Sequence, residues 1–459
     1  MTPIAHPIAR ACALALVCVA GAARAQDAPA RATDAEPENG FALPALEVVA
    51  FDLLLSNFNR ATSRSHDYDV SWHSIEHNLR GPWVVDNDPF AVNQVGHPYQ
   101  GSLYHSIGRS MGLNYWQASA LTFGGSVWWE ITGEKTPPSK NDQVASGIAG
   151  SFLGEPLFRM AHLVGDHSTV PAAWRPWLAS AISPPVGFNR LTFGSRYGAV
   201  FEDHDPAYYS RLHVGGSRVT NDNFATASGV KTYAAQVDYA MDYGLPGKPG
   251  YSYNRPFDYF NFEAALSSSN GVENLTSNGL LLGDHYALGD RVRGIAGIYG
   301  GYEYLAPQVY HLSSTSLSIG TTLQWWASER VAVQGGLSGG VGYAAASTAL
   351  HRIGDAASDR DYHYGMAPRA AMNLRLIEGD RLSLDVAGRM VSLGRIARRQ
   401  AGRDDISRLE TALTWRISGP HAVGFSYVWS HRSAAFPSSG TRRQTLGQFG
   451  IYYTLLGRQ

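Results

Sequence analysis

Residues 381–390 read Arg-Leu-Ser-Leu-Asp-Val-Ala-Gly-Arg-Met, and residues 408–417 read Arg-Leu-Glu-Thr-Ala-Leu-Thr-Trp-Arg-Ile. In both stretches, large apolar residues alternate with polar or charged ones. A period of two places alternate side chains on opposite faces of a β-strand. The stretch 232–243 follows the same rule, with tyrosines on one face and aspartates on the other. Each of these stretches therefore predicts a strand with one apolar and one polar face.

The same alternation extends over most of the chain from about residue 188 onward. A twelve-residue strand is about 40 Å long, which is long for a soluble sheet and suits a tilted membrane strand. Candidate strands are 189–200, 207–219, 231–244, 257–268, 272–286, 291–304, 311–325, 329–345, 361–376, 380–392, 405–417, 421–432 and 444–456. Single-chain bacterial barrels have an even number of strands, so these thirteen candidates predict either 12 or 14.

The connections between the candidate strands alternate in length. Those at 327–328, 378–380 and 418–420 are tight, whereas 346–360, 393–404 and 433–443 are long and polar. Short periplasmic turns and long outer loops are typical of an outer-membrane barrel. A water-soluble sandwich or lipocalin-like barrel is the alternative, but the polar faces would not form its core. We expect a mainly β protein: a transmembrane antiparallel barrel of 12 or 14 strands with an N-terminal helical periplasmic domain.

The N-terminal part divides into three segments before the barrel. Residues 1–25 predict a signal peptide, with an apolar run and an Ala-Arg-Ala cleavage site, and residues 26–43 predict a disordered leader. Residues 44–186 have helical spacing and predict a periplasmic domain, and residues 187–459 form the predicted barrel. Because a domain of that size is wider than the lumen, we expect it to cap the periplasmic mouth, with at most one or two segments entering. Helices are expected at Ala45–Arg60, 101–113, 115–131, 151–164 and 171–182.

Composition excludes some function classes. The formal net charge is −1, so no strong field attracts nucleic acid. Both cysteines, Cys12 and Cys18, lie in the predicted signal peptide. The run His73-Ser-Ile-Glu-His77 matches a zinc-protease pattern, but Arg80-Gly-Pro ends any helix soon after it. We predict no cofactor and no metal site, although oxygen ligands near Asp86 and Asp88 leave Ca²⁺ open as a minor alternative.

Three motifs occur in order within residues 70–165. They are PWVVDNDPFAVNQVGHPYQG from Pro82, which continues to Tyr104 and Arg109, SVWWEITGE from Ser126, which is followed by PSKND from Pro138, and GEPLFR from Gly154. Together they resemble the bacterial envelope family known as domain of unknown function 3943. The resemblance implies an outer-membrane setting and implies no known reaction.

The motifs contain the candidate site residues. A histidine near carboxylates and a serine can form a base–nucleophile pair, so the catalytic candidates are His97, Ser139, Glu130 and Glu134. We expect His97 to lie in an extended turn because Pro98 follows it. The residues that could bind a ligand or stabilise the domain are Asp86, Asp88, Asn93, Gln94, Tyr99, Tyr104, Arg109, Asn141, Asp142, Glu155 and Arg159. Polar residues at helix starts and turns also cap backbone groups without any catalysis.

Two functional hypotheses follow from these observations. The first is an envelope protein without assignable reaction that handles a lipid or a small solute. The alternative is a membrane-embedded hydrolase or acyltransferase that modifies lipids, with His97 acting with Glu130, Glu134 or Ser139. The expected partners are outer-membrane lipids and the barrel-insertion machinery. A predicted outer loop contains Arg395, Arg398, Arg399 and Arg403, which could bind lipopolysaccharide phosphates, while the oligomeric state stays open.

Overall fold

The computed structural model describes residues 40–62, 65–167, 170–194, 206–223, 230–348, 360, 362–395, 402–436 and 440–458. The predicted signal peptide, Arg398 and Arg399 lie outside these ranges. Two compact units are present. The first comprises Met1–Pro82, Leu103–Pro138 and Leu157–Glu202, and the second comprises Trp83–Ser102, Ser139–Pro156 and Asp203–Gln459.

Helical elements precede the strands. They are α1 (Ala42–Thr62), α2 (Trp72–Arg80), the π-helix π1 (Val92–Gly96), α3 (His97–Ser110), α4 (Tyr115–Thr132), α5 (Lys140–Asp142), the π-helix π2 (Gln143–Ala149), α6 (Gly150–His167), α7 (Arg175–Ile182) and α8 (Pro184–Phe193). The helices expected from spacing are confirmed, with shifted ends. The candidate strand 189–200 is wrong in its described part, because residues up to Phe193 continue α8, whose first turn contains prolines suited to a helix start.

In the described residues, twelve antiparallel strands form one closed barrel, which confirms the predicted fold class. They are β1 (Tyr208–Asn223), β2 (Tyr233–Tyr243), β3 (Phe260–Ser267), β4 (Gly271–Leu288), β5 (Val292–Leu305), β6 (Tyr310–Trp326), β7 (Val331–Thr348), β8 (Tyr362–Glu378), β9 (Leu382–Arg395), β10 (Arg403–Ser418), β11 (His421–Phe436) and β12 (Gly440–Arg458). Closure occurs at β1, where Tyr209 pairs with Asp242 of β2 and with Arg458 of β12.

The outward face of the barrel is apolar. Along β9, Leu384 is 40% exposed and Met390 is 63% exposed, while Asp385 between them is paired inside with Arg375. Similar outward residues include Ile319, Leu337, Trp415 and Ile417. Water would not favour such a band of exposed apolar side chains, whereas lipid does. The protein is therefore an outer-membrane β-barrel.

The lumen contains an apolar cluster towards one end of the strands. We call it the loop-side cluster, because it lies towards the ends of β7 and β9, from which the long connections leave. The long connection predicted at 433–443 is wrong, because β11 extends to Phe436 and β12 begins at Gly440. Of the arginines in the loop predicted at 393–404, Arg395 lies in β9 and Arg403 in β10. All of its members are at most 4% exposed: Leu305, Val309, Tyr310, Leu312, Ala344, Ala346, Ala367, Val391, Leu393, Ile406 and Leu446. Their burial fills the lumen at this level as a soluble core is filled. The opposite end, where β8–β9 and β10–β11 join by short connections, is called the short-turn end.

Candidate functional site

The two motif segments of the barrel unit, Trp83–Ser102 and Ser139–Pro156, pack on the outward face of the barrel wall. Tyr302, whose hydroxyl donates a hydrogen bond to the Gln94 carbonyl, alternates with the inward-facing Glu303. Phe90 packs against the rings of Tyr304 and Tyr362 on the same outward face. These two segments lie outside the lumen, which agrees with the expectation that at most one or two segments enter it. They cover wall that lipid would otherwise contact.

Two prolines explain how the segments attach to the wall. Pro98 and Pro156 lack a backbone N–H, so each leaves the carbonyl four residues before it without its helical donor. For Pro98 this is the Gln94 carbonyl, which accepts from the Tyr302 hydroxyl. For Pro156 it is the Phe152 carbonyl, which accepts from Ser277 Oγ at 2.5 Å.

His97 lies in a helix rather than in the extended turn that we expected. Its backbone angles are φ −63° and ψ −46°, and its N–H bonds to the Val92 carbonyl across the end of π1. The helical conformation of a residue before proline is disfavoured. Here the wider π turn accommodates it, and the Tyr302 hydroxyl of the wall donates to the Gln94 carbonyl that the proline leaves free. π-helical turns are often found at functional sites.

The His97 ring contacts two polar side chains of the other segment. Nδ1 lies 3.1 Å from Ser146 Oγ, and Nε2 lies 3.6 Å from Asp142 Oδ2. All three side chains are at most 7% exposed. Burial raises the pKa of Asp142 well above its usual range, and the nearby Asp86 charge raises it further. Sequence reasoning missed Ser146, because this residue lies outside the three motifs. Its position in π2, four residues after Asp142, became apparent only in the structure.

A hydrogen-bonded group, the Asn141 cluster, connects the segments to two tyrosines of β8. Its members are Asp86, Asn93, Ser139, Asn141, Asp142, Tyr362 and Tyr364. Asn141 Nδ2 donates to Asp86, to Asp142 Oδ1 at 3.1 Å and to the Tyr364 hydroxyl at 2.9 Å. Its Oδ1 accepts from the backbone N–H of Asp86 at 3.0 Å. The cluster satisfies buried polar groups on both sides of the contact.

The cluster extends along the same wall. Asn93 Nδ2 donates to Asp86 Oδ1 at 2.8 Å and to the Tyr362 hydroxyl at 2.9 Å, and Gln94 Nε2 donates to Tyr364 at 2.9 Å. The Asp88 carboxylate accepts from Arg360 at 3.3 Å. Tyr99 is 43% exposed, and Glu155 is fully buried on α6.

The catalytic candidates divide between the two units. His97 and Ser139 belong to the barrel unit, whereas Glu130 and Glu134 belong to the helical unit. Ser139 caps α5: its Oγ accepts from the Asp142 N–H at 3.2 Å and donates to Asn141 at 2.9 Å. Glu134 accepts from Trp129 Nε1 at 3.1 Å. These are structural contacts, and the geometry does not favour the hydrolase alternative.

The remaining candidates lie inside the helical unit. The Tyr104 hydroxyl donates to Asp52. Arg109 donates to the Leu113 carbonyl at 2.6 Å and lies 4.9 Å from the Phe158 ring centre. Arg159 is 1% exposed, and Glu130 is buried, with its backbone carbonyl accepting from Asn78. These contacts stabilise the packing of helices within this unit.

The lumen below the loop-side cluster contains a layer of paired charges. Arg375 donates to Asp385 at 2.5 Å and to Asp242 at 2.7 Å. Arg389 bonds to Glu263 and lies 3.2 Å from Glu303 on another strand. Arg408 is likewise paired with Glu410. Such buried pairs are expensive to break, because the remaining charge is left unpaired.

A cavity of about 150 Å³ lies within this charged layer. Several buried polar atoms of its lining residues make no hydrogen bond to the described residues: Arg211 Nε and Nη1, His213 Nε2, Asp238 Oδ1, Asn261 Oδ1 and Asp385 Oδ2. Arg211 Nη1 lies 3.0 Å from Asp385 Oδ2 but is not aligned for a hydrogen bond. Buried polar atoms are almost always satisfied by protein, water or ligand. Sequence reasoning missed this site, since it depends on strand register.

A second cavity of about 200 Å³ lies nearer the short turns. Its lining includes Tyr208, Arg381 and Arg416, and it shares Leu245 and Gln334 with the first cavity. The two cavities are therefore neighbours along the lumen. Together they extend the polar interior from the charged layer towards the short-turn end.

Comparison with known proteins gives a family for part of the chain. No curated protein matches the sequence significantly. Among solved structures, the porin NanC is similar at 10% identity with a TM-score of 0.28, over 53% of this chain and 98% of its own. The outer-membrane channel DcaP of Acinetobacter baumannii is similar at 7% identity with a TM-score of 0.24, over 55% and 97%. The barrel assignment here rests on strand register and side-chain facing. The predicted family resemblance is confirmed, because residues 82–185 match the family described as Domain of unknown function (DUF3943).

Proposed function

We propose that this outer-membrane barrel binds a small polar solute inside its lumen and does not act as an open diffusion channel. One observation carries the proposal: unsatisfied buried polar atoms converge on the 150 Å³ cavity, while the loop-side cluster fills the lumen beyond it. An open porin has a continuous polar passage. A polar cavity beside a filled section is the arrangement of a binding site.

The lining indicates the class of solute. Arg211 Nε and Asp238 Oδ1 make no hydrogen bond to the described residues. Neither do Arg211 Nη1 and Asp385 Oδ2, although these two atoms form an ion pair at 3.0 Å. A molecule that has both an anionic and a cationic group would complement both kinds of atom. Cavities of about 150 Å³ hold a molecule the size of benzene, so the solute is a small zwitterion of amino-acid size. Acyl chains are excluded by the cost of leaving these polar atoms unsatisfied.

The direction of entry follows from the proposed orientation. Short turns of such barrels face the periplasm, and the second cavity lies at the short-turn end. The solute would therefore enter from the periplasm. The chain also enters β1 at this end, where Tyr208 pairs with Tyr243. This supports a periplasmic location for the N-terminal helical residues. Outer-membrane lipids and the barrel-insertion machinery are the partners that such a location implies.

The test measures binding by the purified protein in detergent. Glycine and L-serine should raise its thermal unfolding temperature in a saturable way, and glycerol, which is neutral, should not. Arg211→Ala should abolish the shift, and Arg211→Lys should weaken it. Arg403→Ala is the matched control, because that side chain is 68% exposed and distant from the cavity lining.

A planar-bilayer recording completes the test. The wild-type protein should show no steady porin-like conductance. A stable open-channel conductance would overturn the proposal. So would the absence of any saturable shift with both zwitterions, when the wild type and Arg403→Ala are folded.

A further inference from the structure

Helix α1 carries its large apolar residues on the exposed face. Leu46 is 65% exposed, Leu53 59%, Leu54 72% and Phe58 63%. Their spacing of seven, eight and twelve residues from Leu46 places them on one face of the helix. The helices of soluble proteins turn such a face towards the core. Here it turns outward along most of α1.

The acidic residues of α1 lie on the opposite side. Asp52 is 3% exposed and accepts a hydrogen bond from the Tyr104 hydroxyl. Glu47 is half-buried, and Val48, between these acids, is 2% exposed. Charged side chains point into the protein while hydrocarbon points out. This inverted pattern is expected of a helix whose outer medium is lipid.

The dimensions of α1 fit the same medium. Its 21 residues correspond to about 31 Å, close to the hydrocarbon thickness of a bilayer. Among the described helices, α1 alone is long and apolar enough to cross a membrane by length and composition, and only 17% of its apolar window is buried. No charged side chain interrupts its outward face before Arg60.

Exposed aromatic residues occur on other helices of the same unit. Trp174, Trp177 and Leu178 share the outer side of the α7 region, with exposures of 62%, 73% and 41%. On α8, Phe188 is 56% exposed and Leu191 is 88% exposed. Tryptophan is enriched at the boundary between lipid and water. These helices extend the apolar surface beyond α1.

We propose that the exposed face of α1 contacts the acyl chains of the membrane. Its occupant is lipid and not a protein, because protein interfaces carry a polar rim around an apolar centre, whereas the large exposed side chains of this face are apolar. The amide of Asn57, which lies among them, donates to the Leu53 carbonyl of the same helix at 2.6 Å and so needs no outside partner. The barrel of the same chain already presents an apolar band that requires a bilayer. This inference is independent of the solute proposal.

The experiment uses site-specific fluorescence in the full chain. Residues 26–459 contain no cysteine, and Cys12 and Cys18 are replaced by alanine, so each introduced cysteine is unique. Leu46→Cys and Leu54→Cys are labelled with a nitrobenzoxadiazole dye after reconstitution into phosphatidylcholine vesicles. Glu76→Cys is the matched control, on α2 of the same unit, where the native side chain is 57% exposed beside Arg80.

Lipid brominated in the middle of its acyl chains should quench the labels at 46 and 54 at least twofold more strongly than the label at 76. Aqueous iodide should quench only the label at 76. Labels at 46 and 54 that respond to iodide as strongly as the control would show a water-exposed face and overturn the proposal. Labels shielded from both quenchers would show a protein occupant and would also overturn it. Retention of the heat-sensitive shift in gel mobility shows that each variant is folded.

Discussion

Ser277 on β4 donates a hydrogen bond of 2.5 Å to the carbonyl of Phe152 on α6, and that carbonyl is the one that Pro156 deprives of its helical donor. The barrel wall therefore completes the hydrogen bonding of a helix that could not complete its own. This contact gives the first prediction.

Replacing Ser277 by alanine should leave the Phe152 carbonyl buried without a donor. A buried unsatisfied group costs about 1–3 kcal/mol, so the free energy of unfolding should fall by that amount. The measurement is the urea midpoint, followed by the heat-sensitive shift in gel mobility. The double variant Ser277→Ala/Pro156→Ala should recover much of the loss, because an alanine at 156 supplies the missing N–H. A double variant no more stable than Ser277→Ala would contradict this account.

Asn141 should be the most sensitive position of the Asn141 cluster. Its amide bonds to Asp86, Asp142 and Tyr364, so Asn141→Ala leaves several buried groups unsatisfied and should cost on the order of 3 kcal/mol. Asn141→Asp adds a third carboxyl beside two others and should be less stable at pH 8 than at pH 5. The urea midpoint at both pH values checks this. Lys140→Ala, at an exposed neighbouring position, is the control and should change little.

Asp142 should make stability fall as the pH rises. Burial and the Asp86 charge raise the pKa of its carboxyl in the folded protein, whereas the unfolded chain titrates near its ordinary value of about 3.9. Between those two pKa values the folded state binds more protons, so the free energy of unfolding decreases from about pH 4 upward. Asp142→Asn should flatten this part of the profile. A profile unchanged by the substitution would show that another group controls it.

The loop-side cluster should act as the barrier to ions. Leu393→Ala/Ile406→Ala removes apolar volume from two neighbouring strands whose side chains here are at most 2% exposed. We expect ion conductance in planar bilayers to rise several-fold over that of the wild type. The matched control is Leu384→Ala/Leu413→Ala, a facing pair on the same strands that points outward at 40% and 38% exposure. Equal conductance in both double variants would place the barrier elsewhere.

The strands could be predicted because their pattern is local. An alternation with a period of two can be recognised from neighbouring residues alone. It is clear along β9 and β10, because their outward side chains face lipid and are apolar, whereas their inward side chains include charged residues. The failure at 189–200 has a local cause as well: Pro184 and Pro185 favour a helix start, and the alternation that follows them is short.

The site could be predicted only in part, because its partners are remote in sequence. Asn141 stood out in a motif, but its contact with Tyr364 spans 223 residues. The unsatisfied atoms around Arg211 depend on the register of several strands. The extended conformation expected for His97 is wrong, because the preference of a residue before proline for extended backbone is a local rule. It does not take into account the Tyr302 hydroxyl, which comes from a distant part of the chain.

The two wall hydroxyls impose an order on assembly. Before β4 and β5 have formed, the hydroxyls of Ser277 and Tyr302 are not in place to donate to the carbonyls that Pro156 and Pro98 leave without a helical donor. The helical segments can form early, but their hydrogen bonding is completed only against the folded sheet. The two prolines thus make the last hydrogen bonds of these segments depend on strands that lie more than a hundred residues later in the chain.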